Sequence, residues 1–555
     1  METTPYERIS STYHGLLKER EHLECRIREA ASILNTMSPI NRLPAEVLVH
    51  IYTYVKPSFQ DDEFDYTTYA FYPEREVAAW LSFVGVCRSW RTVACTTPLL
   101  WRDIRIGKRT KLPLFRLFLL YSGHADVNIT FSGTRPIRPF LEELVDHVSR
   151  IRKLSFQMLP TSRAQDLSDF LHHDMPRLGD LSITFGLLDW EFKLLETLDD
   201  DDAAQIALED GLSFLRLAPQ EGQFPRLTRL NLRNVELVTS MALNPSILTQ
   251  LVLRNLRTAP ISLSDLPEFL EKCHSLRKFA LESYGNHRIP SVAHNPRRVQ
   301  LSPTLRWFGL QDWGVDVAAF LSKVVVPATT KYVLLTKLPG DDGHLEFTPL
   351  SACIPQDRAG LPLLDKINKV DMDLRERNWD DRHTIRGFCG GHLFSIEFDL
   401  DDLRMDIAKE FLGVFGDCPI TELNIAGVGS AWATAAQWTR ILQRFSLLKS
   451  LAAENCYFWG SAHASATLLL ALATVQADGT VTSPDLQVLS LAFAERDNDN
   501  AEVVQAVIAC LEARAAMGHR LSKLRVRGMG RSLVSKLCPH ADSVEVYYDT
   551  DRSNN

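Results

Sequence analysis

The sequence lacks the local signatures of most catalytic chemistry. It has no Gly-x-x-x-x-Gly-Lys-Ser/Thr loop to cradle phosphates, no Gly-x-Ser-x-Gly elbow and no His-Glu-x-x-His helix. Its ten cysteines are scattered, with no Cys-x-x-Cys pair, which argues against a zinc module or a dithiol redox site. Cysteines spread this way read as small buried hydrophobes in a reducing compartment, so a cytoplasmic or nuclear location is expected. The opening METTPYERISSTYHG carries no apolar core, and no apolar run reaches membrane-spanning length, so neither a signal peptide nor a membrane role is expected. Asn128-Ile129-Thr130 fits a glycosylation sequon but is expected to stay unmodified without secretion. Positive charge is also short: 61 Lys and Arg stand against 69 Asp and Glu, a net charge of -8, which is a poor match for nucleic acid. The one basic strip, Arg102–Lys111, reads as a solvated connection after a helix.

Three short constellations invite chemistry and do not hold it. In Cys389-Gly390-Gly391-His392 nothing fixes the geometry a base needs to reach the thiol, and the glycines read better as a turn into a strand at 393–400. His172-His173-Asp174 reads as an exposed loop before Pro176, and Asp199–Asp202 as a solvated acidic loop rather than a calcium site. A non-catalytic protein with no metal and no cofactor is therefore expected.

A chain of 555 residues is too long for one core, so several domains, or a module joined to an elongated repeat body, are expected. Within residues 10–36, Tyr13, Leu16, Arg20, Leu23, Ile27, Ala30 and Leu34 recur at steps of three and four, while Lys18, Glu19, Glu21, Glu24, Arg28 and Glu29 occupy the other faces. This pattern fits either a short coiled-coil strand or an amphipathic helix docked on its own domain. Met37-Ser38-Pro39 ends it. Residues 40–55 predict a second helix, with Asn41 as its cap, Pro44 in the first turn and an apolar stripe of Leu43, Val47, Leu48, Ile51 and Val55. An acidic, aromatic insertion at 57–79 follows, then a helical stretch at 76–94 and a closing Pro98-Leu99-Leu100-Trp101.

From about residue 125 to 550 the texture changes to recurring L-x-x-L-x-L segments. Examples are Leu178-Leu181-Ile183, Leu227-Leu230-Leu232, Leu248-Leu251-Leu253, Leu276-Phe279-Leu281, Leu305-Phe308-Leu310, Ile420-Leu423-Ile425 and Leu486-Leu489-Leu491. The last two positions of each alternate, as a strand with one buried face requires. Central residues step from 230 to 251, 251 to 279 and 279 to 308, a period that predicts one strand and one return segment per turn, as in a leucine-rich repeat. Asn234, Asn255 and Asn455 sit where an asparagine ladder would lie, and 405–415, 434–445, 463–475 and 501–515 read as return helices. The longer steps from 181 to 230, 308 to 396 and 451 to 489 imply insertions or unseen repeats.

Leu43-Pro44-Ala45-Glu46-Val47-Leu48-x-x-Ile51, followed by Val86-Cys87-Arg88-Ser89-Trp90-Arg91 and Pro98–Trp101, resembles the F-box. The wider stretch 13–104 is similar to F-box-like proteins of mushroom-forming fungi. The resemblance implies an α/β repeat architecture: an N-terminal helix, a small all-helical F-box-like module at 37–104 and an irregular leucine-rich-repeat solenoid. It implies a substrate receptor of a cullin–RING ubiquitin ligase. The module would dock on the small Skp-type adaptor, and through it a cullin, by Leu43, Pro44, Glu46, Val47, Ile51, Val86, Cys87 and Trp90. The repeat tail would bind an unidentified target protein, with Trp190, Trp307, Trp313, Trp379, Trp432, Tyr457, Phe458 and Trp459 as candidate contacts. The competing expectation is a non-ligase interaction scaffold carrying a degenerate F-box, which would follow if the 57–79 insertion covered Leu43 or Trp90.

Overall fold

The structure is a computed structural model that describes residues 4–56, 81–107, 110–133, 136–185, 215–217, 219–237, 243–254, 266–282, 297–337, 350–374, 382–399, 406–427, 433–454, 463–475, 479–492, 501–527 and 531–546. The 57–79 insertion lies outside these, as do the acidic run 199–202, Asn255 and Asn455. The chain divides into two compact units, Met1–Leu215 with Pro219–Leu227, and Arg216–Ala218 with Thr228–Asn555.

In the first unit, helix α1 spans Pro5–Met37. It is longer at both ends than the expected 10–36 helix, and its apolar stripe stays exposed rather than laid against its own domain. A 3-10 turn at Pro39–Arg42 leads to α2 (Ala45–Val55). The predicted helix at 76–94 is broken. Residues 81–84 are helical, Gly85 and Val86 leave the helix, and α3 starts afresh at Arg88–Cys95 behind an extended Cys87 (φ -155, ψ 173). The first half of the basic strip is likewise not a solvated connection. Residues Asp103–Ile106 form β1, because Ile104 and Ile106 alternate with polar neighbours and bury one face. After it come α4 (Leu112–Tyr121), β2 (Val127–Ser132), α5 (Arg138–Leu144), β3 (Ile151–Leu159), α6 (Ala164–Leu171) and β4 (Asp180–Phe185). The four strands are parallel neighbours in chain order, each joined to the next through a helix, as parallel pairing demands. Their buried residues stand in rows, Ile104 beside Ile129, Ile129 beside Leu154 and Leu154 beside Leu181, and the Phe131 and Phe156 rings stack at 4.8 Å.

The second unit is also mixed α/β and is dominated by a large sheet. Two short strand pairs, β5 (Arg216–Leu217) with β7 (Glu236–Leu237) and β10 (Val299–Gln300) with β12 (Val324–Val325), stand apart from it. In the main sheet β6 (Arg229–Arg233), β8 (Gln250–Arg254), β9 (Lys278–Glu282), β11 (Trp307–Trp313) and β13 (Lys331–Lys337) are parallel neighbours. The triplet centres fall into one row: Leu230, Leu251, Phe279, Phe308, then Tyr332. The aromatic members of that row touch, Phe279 to Phe308 at 5.5 Å and Phe308 to Tyr332 at 6.1 Å. A second parallel run is β17 (Glu422–Ala426), β18 (Ser450–Glu454), β19 (Val488–Ala492), β20 (Lys523–Arg527) and β21 (Val544–Val546), with Leu423, Leu451, Leu489 and Leu524 in register. The predicted return helices appear as Ile407–Phe415, Ala435–Arg444, His463–Ala473 and Ala501–Ala516.

Part of the gap from 308 to 396 is a set of strands the triplet pattern does not reach. Beyond β13 lie β14 (Lys369–Asp373) and β15 (Arg382–Cys389), which join β16 (His392–Asp399), the strand expected at 393–400, in an antiparallel meander inserted in reverse spatial order. β16 pairs with β13 and β14 pairs with β17, both parallel. The Gly390-Gly391 pair closes the β15–β16 hairpin, with Gly390 at φ 61, the left-handed region that two-residue hairpins require. Asn234 does occupy a turn, at φ 56, with its backbone N–H donating to the Arg254 carbonyl at 3.0 Å.

Three buried or half-buried arginines recur as helix caps. Arg150 donates to the Leu119 and Ala125 carbonyls, Arg358 to those of Gly413 and Val414, and Arg514 to those of Leu472, Thr482 and Ser483. The last carbonyls of a helix have no partner within it, and a planar guanidinium satisfies several at once. Arg514 is fully buried, so Arg514→Met strands its carbonyl partners away from water. The variant is expected to lose about 3 kcal/mol in urea unfolding. A wild-type midpoint would show that water or a shifted backbone replaces the guanidinium.

Candidate docking surface

The helical module folds around Trp90. Its indole Nε1 donates to the Asn41 side-chain oxygen at 2.6 Å, its ring lies edge-on to Tyr52 at 5.9 Å, and Phe83 stacks on it at 6.2 Å. The Tyr52 hydroxyl donates to the Trp90 carbonyl at 2.9 Å. Burial first, then the neighbouring Cys87 and Cys95, push this phenol up to about 12, so it remains a donor at any ordinary pH. Asn41 is therefore not the cap of α2, which begins behind Pro44 with no side-chain cap. Its amide instead joins three segments. Nδ2 donates to the Asn35 carbonyl in the last turn of α1, and the oxygen takes the Trp90 N–H and the Cys87 thiol, the latter at 3.7 Å.

This arrangement sorts the eight predicted docking residues. Cys87 and Trp90 are buried and face the module's own core. Leu43 and Ile51 are half-buried. Pro44, Glu46, Val47 and Val86 are exposed, Val47 by 41% and Val86 by 54%. The Asn41 bridge brings Leu43, Pro44 and Val86 within a few residues of one hydrogen-bonded junction. On α2, Leu48 and Tyr52 point inward, while Val47, Ile51 and Tyr54, at helical steps of four and three, line another side. Tyr54 is exposed and edge-on to His50 at 5.8 Å. Sequence reasoning passed over Tyr54 and also Leu99, which is exposed within the closing Pro98–Trp101. The step of seven from Val47 was the available signal for Tyr54.

The module is fixed to the first strand by a buried ion pair. Lys56, just past α2, donates to the Leu100 carbonyl at 3.0 Å and to the Asp103 carboxylate at 2.9 Å, and Asn128 on β2 donates to the other Asp103 oxygen at 2.6 Å. Burial lowers the Lys56 ammonium despite the carboxylate beside it. For Asp103 burial acts upward, but the Lys56 charge and hydrogen bond, Asn128 and Arg102 outweigh it and hold the carboxyl below its ordinary range. Trp101 completes the joint, donating to the Ala94 carbonyl at 2.7 Å and packing on Phe118 and Tyr121 of α4.

Residues 40–107 match the family model of the F-box-like domain. The chain thus carries an F-box-like domain that runs from the 3-10 turn through β1. No match is found among curated proteins.

Of the aromatic residues expected to contact a target, Trp190, Trp379, Trp432, Tyr457, Phe458 and Trp459 lie outside the described residues, and of Trp313 only the backbone is described. Trp307 is half-buried. Residues 307 and 309 share a strand face, and the indole lies over Gly309, with the Lys278 ammonium 5.1 Å from its centre. His172 and His173 each bond a backbone carbonyl of their own helix through Nδ1. Among the described residues, no group of three His, Cys, Asp or Glu side chains is placed to hold a metal ion, and no helix is long and apolar enough to cross a membrane. Cys389 and His392 face each other only as the closing pair of the β15–β16 hairpin.

Removing one partner of a buried ion pair leaves the other uncompensated. Asp103→Ala is expected to cost about 3 kcal/mol, the low end for such pairs because Asp103 is partly exposed. Lys56→Met with Asp103→Ala should recover most of that. The Asp103 carboxyl sits lower in the folded protein than its ordinary 3.8, so its contribution is whole above that value and is lost as pH falls through the folded value. The parent should therefore lose more stability than Asp103→Ala as pH falls below about 4, measured by denaturant titration.

Proposed function

We propose that the chain is a non-catalytic substrate receptor of an SCF-type cullin–RING ubiquitin ligase. The F-box-like domain would dock on the Skp-type adaptor, through which a cullin is reached, and the sheet-dominated body would bind the target protein. The observation that carries this reading is the match at 40–107 on a module whose core is closed around Trp90 while Pro44, Glu46, Val47 and Val86 remain exposed. A small helical unit that keeps apolar side chains in water gains by presenting them to a groove. F-box domains as a class bind adaptors of this kind. Leu43 and Ile51 extend the patch, and Cys87 and Trp90 act by holding it in shape.

We further infer that the body is an irregular leucine-rich repeat. Support comes from the parallel strands that place triplet centres in register and from the return helices between them. Such a body offers an extended surface on its strand face and loops, and Trp307 lies on one strand face. The alternative, an interaction scaffold that no longer engages the adaptor, draws on one observation: two of the eight docking residues are spent on the core, so the exposed patch is smaller than the motif suggests.

Adaptor capture by the purified full-length chain is the test. Val47→Asp, alone or with Leu43→Ala and Pro44→Ala, is expected to weaken capture at least tenfold, the scale of an interface hot spot. Thermal melting of Val47→Asp should stay near that of the parent, since Val47 faces water. A parent chain that fails to capture the adaptor leaves the scaffold reading.

A further inference from the structure

Helix α1 presents an apolar stripe that none of the described residues covers. Positions 6, 9, 13, 16, 20, 23, 27, 30, 34 and 37 alternate at steps of three and four and are apolar except for Arg20. All ten are exposed, Tyr6 by 80%, Ile27 by 67% and Leu34 by 68%. A sustained average step of 3.5 over more than four heptads is the pattern of a coiled-coil seam rather than of a helix lying on a globular surface. The helix has 33 residues and is therefore about 50 Å long. Helices in proteins are held mainly by packing of their apolar face, so a stripe of this length needs an occupant.

The charges identify it. The helix carries five basic residues (Arg8, Lys18, Arg20, Arg26, Arg28) and five acidic ones (Glu7, Glu19, Glu21, Glu24, Glu29), a balance unsuited to an anionic membrane or to nucleic acid. It suits a second copy of itself, in one orientation. In a parallel pair Glu19 would flank Glu24 of the partner subunit, and the two Arg20 side chains would meet in one core layer. In an antiparallel pair aligned end to end, Tyr6 lies opposite Met37 of the partner subunit, Leu16 opposite Ile27 of the partner subunit and Arg20 opposite Leu23 of the partner subunit. Glu19 then flanks Arg26 of the partner subunit, and the two-fold axis produces that pair twice. Arg20 already has a counter-charge on its own helix, Glu24, at 3.5 Å. We propose that α1 joins a second copy of this chain as an antiparallel two-stranded coiled coil.

Sedimentation of the full-length chain tests both the partner and the orientation. The parent is expected to be a dimer at micromolar concentration. Leu23→Glu with Ile27→Glu should give a monomer that still unfolds cooperatively, because both side chains lie outside the core of the single chain. Glu19→Arg turns two attractive pairs into two repulsive ones and should weaken dimerisation about tenfold, and adding Arg26→Glu should restore it. A parent that stays monomeric at tens of micromolar, or a Leu23→Glu/Ile27→Glu chain that stays dimeric, overturns the proposal. Glu19→Arg that tightens the dimer overturns the antiparallel orientation, since that change relieves a parallel pair.

Discussion

An ammonium taken out of water has to be given back most of what water supplied. Lys56 receives it from a carbonyl and a carboxylate at the far end of the F-box-like domain, at Leu100 and Asp103. The carboxylate is itself held by Asn128 on the next strand. Turning α2 against β1 would break the ion pair and leave a buried charge on each side, which costs several kcal/mol. The F-box-like domain and the first strands therefore move as one piece. The Trp101 indole, bonded to the end of α3 and packed on α4, reinforces the same joint with apolar area. Any partner held by the exposed side of α2 is thereby held in a set orientation to β1 through β4.

That rigidity has a consequence for docking. A short module cannot use one side chain for both its own core and a partner. Trp90 is committed inward by its N–H on Asn41 and by rings on two sides, and Cys87 shares the same acceptor. What remains outside is the opposite side of α2 and the residues next to the Asn41 junction. The tryptophan of the motif would bear on a partner only through the position it gives to Leu43, Pro44 and Val86.

Much of this was legible from the chain. Period-two alternation inside each L-x-x-L-x-L segment located strands, and the recurrence of their centres anticipated a parallel ladder with return helices. The hidden strands had reasons to hide. β13 centres its row on Tyr332, with Leu334 two residues on, so no leucine triplet announces it. β15 pairs along its whole length with β16, so Thr384, Arg386 and Gly387 fit a hairpin and not a repeat. Asn41 looked like a helix cap because local propensity favours that role, but tertiary contacts with Trp90 and Cys87 took the amide instead. The division of the motif between core and surface was not readable, because helical spacing places residues on faces without saying which face meets the protein.

The meander explains how the ladder survives its own interruption. A parallel sheet admits an insertion without reversing the strands beyond it only if the inserted antiparallel strands are odd in number. Two would present the next strand with an antiparallel edge. Here three are inserted, so β16 offers β13 a parallel edge and β14 offers the same to β17. The register is kept as well: Leu334 stands beside Ile396, Ile385 links Ile396 to Met372, and Met372 stands beside Ile425. One buried row thus runs unbroken through a change of strand direction. The connection into the meander joins β13 to β14, strands that are not neighbours, and so lengthens the step from 308 to 396.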